Sequence, residues 1–265
     1  MQLEVSVLSK TGGREVNEDA CGFWSGRDNW FCVLSDGAGG HGGGDVAAKL
    51  AVRQVLCWFR ETPECSRDAM EAALRSANAE IIEEQQLDSR FSDMRATVVV
   101  LGIDTARCES IWGHIGDSRL YCFRGCRVVR QTRDHSVIQN MVNAGYVKQQ
   151  DLRMMPQRSR LLAALGDAER FEPCIEQLLL EDGDILLLCS DGFWEYLEET
   201  EMEEALGRAT SAEAWLRGLE DWVLARGRER QDNYSAIAIF CNGREIAEGV
   251  PGEDETLLPL MGKVG

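Results

Sequence analysis

The chain has 265 residues, 44% of them hydrophobic and 28% charged, enough for a sizeable core and too regular for a disordered or fibrous protein. Its 45 acidic against 28 basic side chains give a net charge of −17, a field that repels a phosphate backbone and argues against nucleic acid as the main partner. No apolar run approaches the ~20 residues of a membrane span, and Met1–Lys10 lacks the basic-then-apolar pattern of a signal peptide, so a cytoplasmic protein without membrane contact is expected.

Strand-like segments open the chain at Leu3–Leu8, Cys21–Trp24 and Phe31–Leu34, followed by a glycine-rich stretch over 37–44. Apolar residues at 47, 51, 55 and 58 share one face of a helix over Val46–Phe59. A second helix is expected over Ala69–Ile82, with Ser66 as its N-cap and Asp68 in its first turn. The middle reads as a meander: Ala96–Ile103, Ser110–Ile115, Arg119–Phe123 and Arg127–Gln131. Residues 136–173 are weakly periodic and read as a partly helical, mobile insertion. Strands Cys174–Leu179 and Ile185–Cys189 flank the turn Glu181–Asp184. A helix over Ala212–Ala225 and a last strand, Ser235–Cys241, complete a single domain over 1–241, and 242–265 reads as an acidic, glycine-rich tail. Paired helices and meandering strands favour an α/β (α+β) domain of antiparallel sheets with helices outside. The acidic segment Glu198–Glu204 reads as a solvated face, and Trp194, Trp215, Trp222 and His114 as core. His135 reads as a hydrogen-bonding loop residue. The ten cysteines include no C-x-x-C pair and read as reduced, packed thiols; with three histidines, zinc is poorly served.

Several carboxylates stand at the ends of expected buried strands: Asp36, Asp117, Asp191, Asp232, and the pair Glu18 and Asp19. A single one is normally a turn aspartate. Six whose strands share a core converge on one acidic pocket. Converging carboxylates repel strongly at low dielectric and need a cation, and an all-oxygen set suits Mg²⁺ or Mn²⁺.

These residues sit in an ordered series: Arg14-Glu15-Val16-Asn17-Glu18-Asp19, Asp36-Gly37-Ala38-Gly39-Gly40-His41, Gly116-Asp117-Ser118-Arg119, Thr132-Arg133-Asp134-His135-Ser136, Ser190-Asp191-Gly192-Phe193-Trp194-Glu195 and Asp232-Asn233. The series resembles that of the metal-dependent protein phosphatases, the type 2C family, from about residue 5 to 241. The resemblance implies a four-layer αββα sandwich with two central antiparallel sheets. It also implies hydrolysis of phosphoserine and phosphothreonine in proteins by hydroxide bridging two Mn²⁺ or Mg²⁺ ions. By residue matching, Asp36 would bridge both ions, the Gly37 carbonyl would bind one, and Asp191 and Asp232 the other. Glu18 and Asp19 would orient bound waters, Asp117 with Asp191 would offer a third ion position, Arg14 would grip the phosphate, and Asn233 would steady the site. Expected partners are phosphorylated proteins and an opposing bacterial serine/threonine kinase, and the expected state is a monomer.

Departures are visible. Ala38 occupies the position where some family members carry a histidine proposed as general acid, which makes His41 the next candidate. Met155-Pro156 stands where bacterial relatives often show His-Pro in the flap, taken here as about 136–173, and Arg95-Ala96-Thr97 replaces a small-Thr-Thr strand start. Three rival readings arise. Gly37 to Gly42 satisfies the dinucleotide pattern G-x-G-x-x-G, but Asp36 would aim a carboxylate at the pyrophosphate and the element that follows the helix is another helix. Cys21 to Arg27 satisfies C-x₅-R, but bulky Phe23 and Trp24 fill its interior. A non-catalytic phosphoprotein-binding regulator on the same fold would be marked by a lost metal ligand, and all are present.

Overall fold

The computed structural model describes residues 1–38, 43–155, 158–227 and 231–242. The elements run β1 (Gln2–Lys10), β2 (Asp19–Ser25), β3 (Asn29–Ala38), α1 (Gly44–Glu61), α2 (Arg67–Leu87), β4 (Arg95–Ala96), β5 (Val98–Asp104) and β6 (Glu109–Ile115). They continue with β7 (Arg119–Arg124), β8 (Arg127–Gln131), α3 (Val137–Asn143), β9 (Cys174–Leu179), β10 (Ile185–Cys189), α4 (Asp191–Trp194), α5 (Glu199–Leu206), α6 (Ala212–Arg226) and β11 (Tyr234–Asn242). Short 3₁₀ turns lie at Ser89–Phe91 and Gln149–Met154.

Two antiparallel sheets carry the fold. One has the order β1-β11-β10-β7-β8, the other β2-β3-β5-β6-β9, with β4 beside β3. Side-chain alternation explains why their strands read as unbroken apolar runs. Val99, Leu101 and Ile103 of β5 and Ile237, Ile239 and Cys241 of β11 face the layer between the sheets. Their neighbours point outward: Val98 and Val100 pack with Ala47, Ala51 and Val55 of α1 and Leu74 of α2, and Ala236 and Ala238 pack with Trp215 and Leu219 of α6. Helix, sheet, sheet and helix therefore form the expected four layers.

Most elements fall within a few residues of their sequence-based positions. Ser66 caps α2, its hydroxyl accepting from Ala69 N at 3.2 Å. Helix α2 runs five residues past Ile82, beyond its apolar stripe. Gln85 holds this extra turn by donating to the carbonyls of Met94 and Gly166 at 2.8 and 3.0 Å. Strand β3 continues through Asp36 to Ala38 instead of stopping at Leu34, because Asp36 pairs with Asp19 and Gly37 with Ala96. Asn242, read as the start of the tail, is the last residue of β11, opposite Gln2; residues 243–265 lie outside those described. Among 136–173, α3 and the 3₁₀ turn supply the partial helicity. The segment is tied down by isolated bridges Ser136↔Leu161 and Ala96↔Leu165.

The acidic segment differs from its reading as a solvated face. Helix α5 buries Met202 and Leu206, and its acids meet arginines: Glu199 with Arg153, Glu201 with Arg226 and Glu203 with Arg127. All ten cysteines are free thiols, five of them buried. No helix among the described residues is long and apolar enough to cross a membrane.

Candidate active site

A cleft of about 450 Å³ opens where the same ends of the two sheets meet, and Asp36, Asp117, Asp191, Asp232, Glu18, Gly37, Asn233 and Arg14 line it. Each arrives from a different element. Asp36 lies near the end of β3 and Asp117 in the β6–β7 turn. Asp191 is the first residue of α4, directly after β10. Asp232 precedes β11, and Glu18 precedes β2. Asp19 opens β2 and is cross-strand partner to Asp36. Like charges directly opposite on neighbouring strands destabilise a sheet, so this pairing is a cost of the site.

The carboxylates are held under strain. Burial, and then the nearby Asp19, Asp191 and Asp117, push Asp36 well above the usual range. Burial, then Asp232 and Glu195, raises Asp191 to about 6. Asp117 is buried and is likewise driven well upward, by desolvation and by Asp191. Asp19, also buried, rises to about 7 through desolvation, although the hydrogen bond from Ser190 opposes the shift. The Ser190 hydroxyl donates to Asp19 Oδ2 at 2.8 Å, and Asp19 Oδ1 is buried with no hydrogen-bond partner. Glu18 is raised more modestly, by burial and by Asp45.

Asn233 ties the N-terminal loop to β11. Its amide donates to the carbonyls of Thr11 and Val16 at 2.8 and 2.9 Å, and its Oδ1 accepts from Glu18 N at 2.9 Å. Arg14 reaches across the same seam to Asp232 Oδ2 at 2.8 Å, with half its side chain exposed. Gly192 must be glycine, since a Cβ there would lie 2.1 Å from the Asn233 carbonyl oxygen. Gly37 is equally confined: a Cβ would lie 2.1 Å from Gly44 O, so strand β3 and the start of α1 touch backbone to backbone.

The described members of the sequence-predicted set thus come together around one cleft. Asp19 stands behind it, and His41 lies outside the described residues. Four contributors were missed. The indole Nε1 of Trp194, read only as core, donates to Asp117 O at 2.9 Å. Arg119, 1% exposed, forms a bidentate pair with Asp134 at 2.8 Å and stacks 3.4 Å from the Trp194 ring centroid. Ser190 holds Asp19, and Thr97 lines the cleft wall. His135, as expected, braces a loop: its backbone N donates to Gly116 O at 2.8 Å, and its Nδ1 accepts from Gly116 N at 3.3 Å. It stacks on buried His114, and burial with that neighbour lowers its pKa to about 4.

A family model for protein phosphatase 2C matches residues 9–231. The chain belongs to the protein phosphatase 2C family. It is 34% identical over 200 residues to the serine/threonine phosphatase stp of Listeria monocytogenes, covering 73% of this chain and 78% of the relative. Among solved structures it is similar to the serine/threonine phosphatase PstP/Ppp of Mycobacterium tuberculosis, with a TM-score of 0.81 and 26% identity over 92% of this chain and all of the other. It also matches the catalytic domain of the phosphatase PstP in complex with two manganese ions, with a TM-score of 0.77 and 27% identity over 91% of this chain and 99% of that one. This type 2C protein is a protein serine/threonine phosphatase, an α+β sandwich enzyme whose substrates are phosphoproteins. The dinucleotide and thiolate-phosphatase patterns fall away with that assignment. Cys21 itself is buried in strand β2, its thiol pushed up to about 12 by desolvation, the reverse of a nucleophile.

Proposed function

We propose that the cleft is a divalent-metal site for phosphomonoester hydrolysis, holding Mn²⁺ or Mg²⁺. Asp36 and the Gly37 carbonyl, with Asp191 and Asp232, would hold two ions, and Asp117 with Asp191 would offer a third position. Glu18 and Asp19 would orient the surrounding water. The observation that carries this reading is the carboxylate group of buried Asp19 and Asp117 with half-buried Asp36 and Asp191, all with raised pKa and one with an oxygen left without a partner. The donors are all oxygen, and hard divalent cations take such sets. Among the described residues no three such side chains converge on one ion position as they stand. Such ions commonly keep several waters, so two carboxylates and a carbonyl suffice to begin a coordination shell. Bound there, two ions would supply an acidified water and screen the charge of the phosphate dianion.

The rest falls to the chain. Arg14 stands at the rim with its guanidinium on Asp232, and its planar fork suits two oxygens of a substrate phosphate. Asn233 fixes Glu18 and the Arg14 loop relative to Asp232 through three hydrogen bonds. Ala38 has no proton for the leaving oxygen of serine or threonine, which leaves His41 as the sequence's candidate donor. Ser159 and Leu161 close one side of the cleft and place the 136–173 segment beside the phosphate position, where substrate choice is made. A monomeric, cytoplasmic enzyme opposing a serine/threonine kinase completes the reading. The test is hydrolysis of a phosphothreonine peptide and of p-nitrophenyl phosphate with Mn²⁺, Mg²⁺ or EDTA, for wild type and Asp191→Ala. Metal-dependent turnover lost in the variant is expected. A folded wild type inactive with either metal would instead favour a phosphoprotein-binding regulator.

A further inference from the structure

Thr97 belongs to neither named strand beside it. It breaks the run between β4 and β5, and it is 2% exposed behind the cleft. Its backbone N donates to Asp36 O at 2.8 Å, and its Oγ1 accepts from Asp36 N at 3.1 Å. The same Oγ1 lies 2.7 Å from Ser118 Oγ. Because the Asp36 N–H already donates to Thr97 Oγ1, the threonine's own proton is free to go to Ser118. The Thr97 carbonyl is held in turn by the Ser35 hydroxyl at 2.6 Å. The turn containing Asp117 also presses on this side chain, since a Cβ on Gly116 would lie 2.6 Å from Thr97 Cβ and Cγ2.

We infer that Thr97 is a positioning residue whose hydroxyl sets the spacing between Asp36 on one sheet and Asp117 at the mouth of the other. The inference rests on the metal reading of the cleft. Asp36 and Asp117 repel each other, and among the described residues no hydrogen bond joins one directly to the other. The Asp36 N–H, Thr97 Oγ1 and Ser118 Oγ form one short chain across the gap, and the adjoining Gly116 packs on the threonine methyl. A hydroxyl so placed couples the backbone that carries Asp36 to the turn that carries Asp117, as partners behind a ligand commonly do.

Two substitutions separate the hydroxyl from the methyl. Thr97→Val keeps the shape and removes the hydrogen bonds, and Thr97→Ser keeps the hydroxyl and removes the methyl. Mn²⁺ binding to the metal-stripped protein would be measured by calorimetry, with circular dichroism to confirm the fold. Thr97→Val is expected to weaken Mn²⁺ binding by about tenfold to a hundredfold. Thr97→Ser is expected to stay close to wild type, and Ser118→Ala to weaken binding in the same direction as the valine. Ser118→Ala also carries the test if the valine variant does not fold. Wild-type Mn²⁺ affinity in folded Thr97→Val or in Ser118→Ala, or a Thr97→Ser variant as weak as Thr97→Val, overturns the inference. A purely packing role gives the reverse order, with valine tolerated and serine impaired. A wild type that binds no Mn²⁺ fails the metal reading itself, a result distinct from any difference among the variants.

Discussion

Asparagine at position 191 keeps the outline of the aspartate and loses its charge, so Asp191→Asn separates the electrostatic cost of the site from its shape. Burial with Asp232 and Glu195 nearby raises the Asp191 pKa from 3.8 to about 6, a difference near 2 units. At 1.36 kcal/mol per unit this is about 3 kcal/mol, which the open side of the cleft reduces toward ~1–3 kcal/mol. The folded state holds this proton more tightly than the unfolded chain does. The stability it contributes is therefore complete below about pH 4 and lost as pH rises through about 6. Asparagine has no proton to lose, so the variant gains over wild type across that window and keeps the gain at pH 8. For a chain of this size ~2 kcal/mol corresponds to a rise of about 5 °C in Tm. The assay is thermal unfolding in EDTA at pH 8 and at pH 4.5, repeated with millimolar Mn²⁺. In EDTA the variant should melt higher at pH 8, with the gap narrowing at pH 4.5. With Mn²⁺ the wild type should rise and the variant should not, reversing their order. A variant that melts at or below wild type in EDTA at pH 8 would refute the claim that this carboxylate is held against its own charge.

Other substitutions probe the remaining parts. Arg14→Ala should lower kcat/KM by about a hundredfold while moving stability by less than ~0.5 kcal/mol, since its pair with Asp232 is half-exposed; unchanged kinetics would remove Arg14 from the phosphate site. Arg119→Met leaves the Asp134 carboxylate buried without its partner and should cost about 3–5 kcal/mol in urea unfolding. The double variant Arg119→Met/Asp134→Leu should recover much of that loss, and a double variant no more stable than the single one contradicts the pairing argument. Trp194→Phe removes the indole donor to Asp117 O and should cost about 1–2 kcal/mol. It should also weaken Mn²⁺-dependent turnover, which a variant with wild-type unfolding and kinetics would disprove.

Alternating apolar runs and glycine-bounded turns made the strands legible, and the recurrence of Asp beside Gly at strand ends made most of the cleft legible. What stayed hidden was hidden for physical reasons. Trp194 looks like core because it is core; its hydrogen bond to Asp117 depends on a packing contact across 77 residues. Ser190 and Asp19 are 171 apart, and nothing in either segment announces the other. Arg119 had a signal, a charged residue opening a strand whose middle is apolar, and its partner Asp134 lies only 15 residues on. The acids of α5 were misjudged because composition alone cannot place Arg127, Arg153 and Arg226 opposite them.

The order of strands also governs when the enzyme can come into being. Strand β11, the last of the eleven among the described residues, does not lie at an edge; it is inserted between β1, the first, and β10. Asp232 and Asn233 immediately precede it, and their partners Arg14 and Glu18 lie 218 and 215 residues earlier. A ribosome-bound chain that has not yet emitted β11 therefore lacks the Asp232–Asn233 side of the cleft, and it leaves β1 and β10 without the strand that joins them, an invitation to aggregation. A proteolytic cut before residue 231 is therefore expected to abolish turnover once the released strand is lost, which an activity assay of the separated large fragment would check.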